Sequence, residues 1–267
     1  MITTNGKIIV VDWGCLMFTA IFSQKYTPQI PLTYTLTNIL LANILKVGIN
    51  KDDTVIIAVD RGKSWRKGFD ENYKADRKGK REAHKEINWE DSFAKINDLL
   101  INLDYATNFH IVGEESLEAD DWGSYISRYY NTTECVLISF DSDWEQLLSL
   151  PNVKLFSPKS KKYKFNNNPY LLLAKKTEKE TSDNLITPVA NERDFDKRDL
   201  CINLLTLPGF VEDIMKKKLD NLLPKEEHIE DFPFSSLRDK YCNLYNNKTK
   251  IVTEEQTMKK KRKKIKK

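Results

Sequence analysis

Three short runs of β-branched and aliphatic residues, each ending on an aspartate, constrain the fold of this chain more than anything else in it. They are Lys7-Ile-Ile-Val-Val-Asp12, Thr54-Val-Ile-Ile-Ala-Val-Asp60 and Cys135-Val-Leu-Ile-Ser-Phe-Asp141-Ser-Asp143. A run without polar alternation suits a strand covered on both faces, as central parallel strands are. Helical patterns lie between the runs. Tyr34 to Val47 carries apolar residues at 36, 39, 40, 41, 44 and 45; Trp89 to Leu103 and Ala119 to Tyr130 also read as helices. Phe109 to Val112 and Val153 to Phe156 are shorter strand candidates. This alternation predicts an α/β fold over residues 1–175, a mostly parallel sheet with helices on both faces.

Organisation weakens beyond that point. Residues 176–250 read as a smaller, mainly helical region, with Thr187 to Asp199 a polar connector and helical character at Val211 to Leu223 and Leu237 to Tyr245. Charge divides the chain further. Forty-three basic and 39 acidic residues give a net +4, but Lys259 to Lys267 holds eight of the basic ones in nine positions. The remaining 258 residues have a net charge of −4, an acidic body with a self-repelling tail. Residues 251–267 are expected to be disordered when unbound. The four cysteines lack C-x-x-C spacing and the three histidines form no zinc-like pattern, so carboxylates must hold any metal. No apolar run approaches the roughly 18 residues of a membrane span, and Met1 to Gly6 is unlike a signal peptide. A reduced, cytoplasmic protein, monomeric and away from membranes, is the expectation.

Ligands of open parallel sheets meet the carboxyl ends of strands. Asp12, Asp60 and Asp141 are expected there, with Asp143 beside the last. Neither a G-x-G-x-x-G nor a P-loop pattern follows the first strand, which removes the dinucleotide and P-loop readings. Glu118-Ala-Asp120-Asp121 opens a helical pattern, where one or two acids serve as a cap and the helix dipole favours them. Three acids repel one another, and a hard divalent ion such as Mg²⁺ would relieve that repulsion. Glu180 and Asp183 form a further pair, three residues apart. So many acids fit two ions about 3.5 to 4 Å apart, as in phosphodiester hydrolysis. A basic and aromatic stretch follows the Asp60 strand: seven of the fourteen residues in Trp65 to Phe69 and Tyr73 to Arg81 are Lys or Arg. Interleaved aromatics point to phosphate contact with base stacking.

Val59-Asp60 with Ser64-Trp-Arg66 and Tyr73-Lys-Ala-Asp-Arg77 resembles the signature of the 5′ nuclease family, the flap endonucleases and polymerase I 5′ exonucleases. Leu117-Glu-Ala-Asp-Asp121 and Ser139-Phe-Asp-Ser-Asp143 through Gln146-Leu147 are similar to its other acidic segments. Leu150 to Pro158 and Trp65 to Trp89 most resemble the phage ribonucleases H within it. The resemblance implies Asp12, Asp60, Glu118 and Asp120 as ligands of a first Mg²⁺. It places Asp141 and Asp143 between two ions, adds Asp121 to the acidic group, and assigns Glu180 and Asp183 to the second site. Mn²⁺ would substitute. Lys74 and Arg77 resemble basic residues that hold the scissile phosphate at the foot of a helical arch, here about residues 64–90. Trp65, Arg66, Tyr73, Lys78, Lys80 and Arg81 would bind nucleic acid. Where the family has a glycine-rich helix-turn-helix, Leu185 to Asn191 has no glycine, so duplex binding looks curtailed.

The function implied is Mg²⁺-dependent 5′-to-3′ exonuclease or flap endonuclease action on DNA and RNA–DNA hybrids. Primers or flaps would be removed during phage DNA replication in the host cytoplasm, with a single-strand-binding protein or sliding clamp as partner. Two other classes match parts of the pattern. Asp141-Ser-Asp143 also fits an aspartyl-type phosphatase, although this leaves Asp12, Asp60 and Glu118 unexplained. A non-catalytic nucleic-acid-binding relative would fit the shortened region after Asn184.

Overall fold

The computed structural model describes residues 6–25, 27–170, 173, 177, 183, 189 and 191–246. Glu180, most of the segment from 184 to 190, and the basic tail lie outside them. Five parallel strands are β1 (Ile8–Asp12), β2 (Thr54–Ala58), β3 (His110–Val112), β4 (Cys135–Ile138) and β5 (Val153–Ser157). An antiparallel edge strand, β6 (Lys162–Lys164), completes the order β3-β2-β1-β4-β5-β6. The order runs one way from β1 through β2 and the other way through β4. Parallel sheets open a crevice at such a reversal, outside the carboxyl ends of the two strands. Asp12 and the Asp141 segment sit at that reversal.

Alternate residues of each strand feed two cores. Ile9, Val11, Val55, Ile57, Val136 and Ile138 face the first; Ile8, Val10, Ile56, Ala58, Cys135 and Leu137 face the second. Over the first core lie α1 (Trp13–Ser23), α2 (Leu32–Val47) and α4 (Trp89–Ala106), the last following the short exposed α3 (Arg77–Glu82). Trp122 and Ile126 of α5 (Ala119–Tyr129) cover the second. Each fully buried aliphatic side chain contributes roughly 1.5–3 kcal/mol, so strand register is strongly specified. The C-terminal helices join the same cores. Val211, Met215 and Leu219 of α7 (Gly209–Asp220) enter the second, and Leu237 and Tyr241 of α8 (Ser235–Cys242) the first.

One expectation fails here. Thr187 to Asp199 is not wholly a connector, because α6 (Glu192–Ile202) occupies most of it, capped by Asn191 accepting from the Asp194 N–H. Only Arg198, Cys201 and Ile202 of this helix are buried, which is why its sequence reads as polar linker. Among the described residues no helix is long and apolar enough to cross a membrane. None of the four cysteines is in a disulfide.

Candidate functional site

Asp12 ends β1 and caps α1, accepting the Cys15 N–H on Oδ1 at 3.1 Å. Its other oxygen accepts from Ser139 Oγ at 2.7 Å and from Cys15 Sγ at 2.8 Å. Gly14 lies over this carboxylate: a Cβ added there would stand 3.4 Å from Asp12 Oδ1 and 3.9 Å from Asp60 Oδ2. Two carboxylate oxygens thus converge on a place that glycine leaves open. Burial pushes the Asp12 carboxyl from 3.8 up to about 6, partly offset by the Cys15 hydrogen bond, while Asp60 pushes it further up. Asp60 stands at the exposed floor of a cleft and accepts the Ala119 N–H on Oδ1 at 2.7 Å. Protein crowding the carboxyl, with Glu118 nearby, holds its pKa above the ordinary value.

The Glu118 cluster is organised by a fully buried arginine. Arg66 Nη1 lies 2.8 Å from Glu118 and 3.5 Å from Asp120, Nη2 lies 2.8 Å from Asp121, and Nε donates to the Cys201 carbonyl at 2.9 Å. Burial alone would lower the Arg66 pKa, but Asp120 and Asp121 outweigh it and keep the guanidinium charged. Glu118 also accepts from Ser64 Oγ, the Tyr73 hydroxyl and, at 2.5 Å, Lys74 Nζ. Lys74 and Arg66 overcome the effect of burial and draw its carboxyl down to about 2. Asp121 closes a capping box on the Glu118 N–H and takes the Trp65 indole N–H at 3.1 Å.

These contacts give four of the residues expected at the site a partner within the protein. Trp65, Arg66 and Tyr73 are buried beneath the acids, and of the three Tyr73 lines the cleft. Their aromatic and basic character serves to neutralise and wall the cluster. Asp121 is likewise a helix cap and ion-pair partner, the ordinary use of an acid in a first helical turn.

At the β4 end, Asp141 is exposed, and its Oδ1 accepts the Asp143 N–H at 3.0 Å. The short 3₁₀ helix Asp143–Ser149 carries Trp144 onto α5, where Gly123 admits it. A Cβ at Gly123 would stand 2.4 Å from the Trp144 ring. That packing sets where Asp143 emerges. Among the described residues no three Asp, Glu, His or Cys side chains are gathered so as to hold a metal ion as they stand. The donor chemistry nevertheless fits a hard divalent cation. Asp120 Oδ1 is buried with no hydrogen bond, only the Arg66 guanidinium 3.5 Å away, and Asp12 and Asp60 turn oxygens toward one open point.

The cleft above Asp60 and Glu118 has a volume of about 1360 Å³. One wall is aromatic: Phe22 lies 5.2 Å from His84 and 6.1 Å from Trp89, and Phe18 lies 6.3 Å from Trp89. Lys74, Arg77, Lys78, Lys80 and Arg81 also line the cleft. Lys74 adopts a left-handed backbone at φ 55°, which a non-glycine residue holds only when its surroundings compel it. Its N–H donates to the Asp183 carbonyl at 2.7 Å, and Arg77 Nη2 reaches Asp183 Oδ1 at 3.4 Å. Asp183 therefore meets the foot of the arch. Phe18, Phe22, Ser139 and Cys15 were not read as site residues from the sequence. The i, i+4 spacing of Phe18 and Phe22 was a signal for the first two.

The family model of the 5′-3′ exonuclease, N-terminal resolvase-like domain matches residues 7–178. Ribonuclease H of Enterobacteria phage T4 is 29% identical over 133 residues, which covers 46% of this chain and 43% of that protein. The matched part thus spans less than half the length of that relative. A phage T5 protein co-crystallized with metal ions superimposes with a TM-score of 0.64 at 18% identity, covering 80% of this chain and 98% of that one. A bacteriophage T5 flap endonuclease, in a pseudo-enzyme-product complex with DNA and metal ions, gives 0.57 at 21% identity over 90% and 87%. Those two likenesses establish the shared fold. With well over half of its length matched, at strands whose ends carry Asp12, Asp60 and Asp141, the chain belongs to the family of the 5′-3′ exonuclease N-terminal resolvase-like domain.

Proposed function

We propose that this chain is a divalent-cation-dependent 5′ nuclease that cleaves phosphodiester bonds in DNA and RNA–DNA hybrids near a 5′ end or flap. The observation that carries the reading is the junction of two features. Asp12 and Asp141 end or follow the strands at the sheet's reversal point, and Asp60 and Glu118 beside them line a cleft that also carries basic and aromatic side chains. Asp12, Asp60, Glu118 and Asp120 would hold one Mg²⁺, and Asp141 and Asp143 would serve a second with Glu180 and Asp183. Mn²⁺ would substitute. Bound there, such ions supply Lewis-acid polarisation and a water of lowered pKa.

The chain's own residues supply the rest. Lys74 and Arg77 would meet the phosphoryl oxygens and stabilise charge that develops in the transition state. To do so Lys74 exchanges Glu118 for phosphate, which frees a Glu118 oxygen. Lys78, Lys80 and Arg81, exposed on the arch, would contact flanking phosphates. Phe18, Phe22 and Trp89 would stack unpaired bases, favouring a single strand in the cleft.

A 5′-labelled flap, an RNA–DNA hybrid and a phosphomonoester, each with Mg²⁺, test the reading. Cleavage of the first two and not the third is expected. Asp141→Asn should abolish cleavage while keeping nucleic-acid affinity within a few-fold; a variant with more than about a tenth of normal kcat overturns the assignment. Binding without cleavage by the wild-type protein would identify a non-catalytic relative instead.

A further inference from the structure

We infer that Ser139, with Cys15, is a positioning residue that clasps one oxygen of Asp12 and thereby commits the other to the cation. This rests on the nuclease reading above. Ser139 Oγ is 2.7 Å from Asp12 Oδ2, within the range of a charge-assisted O–H···O⁻ bond, and its side chain is fully buried. Cys15 Sγ meets the same oxygen at 2.8 Å, and the thiol and hydroxyl lie 3.3 Å apart. Oδ2 is therefore taken by two donors 124 positions apart in the chain. Oδ1 receives the Cys15 N–H and is the oxygen turned toward the opening over Gly14, near Asp60 Oδ2.

A hydroxyl has one proton to give and two lone pairs to receive. Ser139 gives its proton to Asp12 and accepts the Asp141 N–H at 3.0 Å. One side chain thus ties the carboxylate that ends β1 to the backbone of the carboxylate that follows β4. Strand pairing does not need this hydroxyl, because the Ser139 N–H already bonds the Phe156 carbonyl at 3.1 Å. What the hydroxyl adds is the orientation of Asp12 and its spacing from Asp141. Hydrogen bonds to a metal-ligating carboxylate typically govern metal affinity by about 10–100-fold when removed.

The test compares wild type, Ser139→Ala, Ser139→Thr and Cys15→Ala. Mn²⁺ binding is followed by calorimetry without nucleic acid, and melting is measured without metal. Ser139→Ala should weaken Mn²⁺ binding about 10-fold or more and raise the Mg²⁺ needed for half-maximal cleavage by a similar factor. Most of kcat should return at saturating Mg²⁺, and Ser139→Thr should restore affinity. Unchanged affinity in Ser139→Ala, or a loss of melting temperature with affinity intact, overturns the inference. Should Ser139→Ala not fold, Cys15→Ala decides: weakened binding supports the clasp and wild-type affinity overturns it. A wild-type protein that neither binds Mn²⁺ nor cleaves would sink the nuclease reading as well. Wild-type binding and cleavage, with Ser139→Ala indistinguishable, sinks the clasp alone.

Discussion

Replacing Asp12 with Asn should destroy cleavage yet stabilise the metal-free protein, with a size that follows from the raised carboxyl pKa. Asp12 is 6% exposed, and burial lifts its pKa from 3.8 to about 6. A rise of that size costs the ionised native state about 3 kcal/mol relative to the unfolded chain. Below pH 3.8 both states carry the neutral acid and no penalty exists. The penalty grows as pH rises from about 4 to about 6 and is constant above, so this group makes the metal-free protein less stable at pH 7 than at pH 4. Asn has the same shape without the charge. Its one carbonyl oxygen can replace Oδ2 as acceptor for Ser139 and Cys15 Sγ, more weakly than a carboxylate does, but the amide nitrogen then faces the Cys15 N–H and that bond is lost. The net expectation is a metal-free Asp12→Asn variant about 1–3 kcal/mol more stable than wild type at pH 7, with the gap closing toward pH 4. Urea unfolding with a chelator at pH 4, 5.5 and 7 measures it. Adding Mg²⁺ should then raise the stability of wild type more than that of the variant, which lacks one ligand of the first ion. A wild type as stable as the variant at pH 7 in chelator, or a gap independent of pH, would refute the reasoning.

Arg66→Met should destabilise the fold by about 3–5 kcal/mol, because it leaves Glu118, Asp120 and Asp121 without the buried cation they share; denaturant titration reads this directly. Lys74→Ala should lower the single-turnover rate far more than it weakens substrate binding, whereas Lys80→Ala and Arg81→Ala should mainly weaken binding. Equal effects of all three on binding, with none on the chemical step, would remove Lys74 from the mechanism. Deleting residues 259–267 should preserve folding and cleavage at saturating substrate but make the slope of log K against log salt shallower by several units. Superimposable slopes between 50 and 200 mM salt would mean that the tail takes no part in binding.

The parts of the fold that announce themselves in the sequence are those where one residue type does one job. Ile8 to Val11, Val55 to Ile57 and Val136 to Ile138 are buried on both sides, so their continuous apolar runs read as parallel strands. Trp89 to Ala106 buries one stripe, at Ile96, Leu99, Leu100 and Leu103, and its periodicity shows it. Two elements had no such signal. β6 is three residues, Lys-Tyr-Lys, and exists because β5 offers it an edge to pair with. α1 follows Asp12 without a break, and its mixture of Trp, Gly, Cys, Phe and Thr has low helical propensity; tertiary packing of Leu16, Ala20 and Ile21 holds it. At the site, the acids were legible because a strand-terminal Asp has few structural reasons to recur. The direction of Arg66 was not. A Trp-Arg-Lys-Gly-Phe segment looks the same whether its arginine faces solvent or folds under the acids, and only the approach of Cys201 and α5 decides it.

That buried arginine sorts the carboxylates into two groups, and the sorting bears on where a cation belongs. Glu118 has a lowered pKa; Asp121, although burial raises its carboxyl, spends its oxygens on Arg66, Trp65 and the helix N-terminus. The protein itself neutralises these two. Asp12, Asp60 and Asp120 are raised too, first of all by burial, and among the described residues only Asp120 of these three has a salt bridge, to Arg66 at 3.5 Å. Pairing every acid with a lysine or arginine would have been the simpler way to stabilise the sheet end. Instead one shared arginine and one strained lysine satisfy the helix start, and the carboxylates at the ends of β1 and β2 are left facing Gly14 with no cationic side chain in a salt bridge to either among the described residues. An arrangement that tolerates such repulsion in the metal-free protein gains most from a divalent ion, because each carboxylate the ion neutralises also recovers the cost of having been buried.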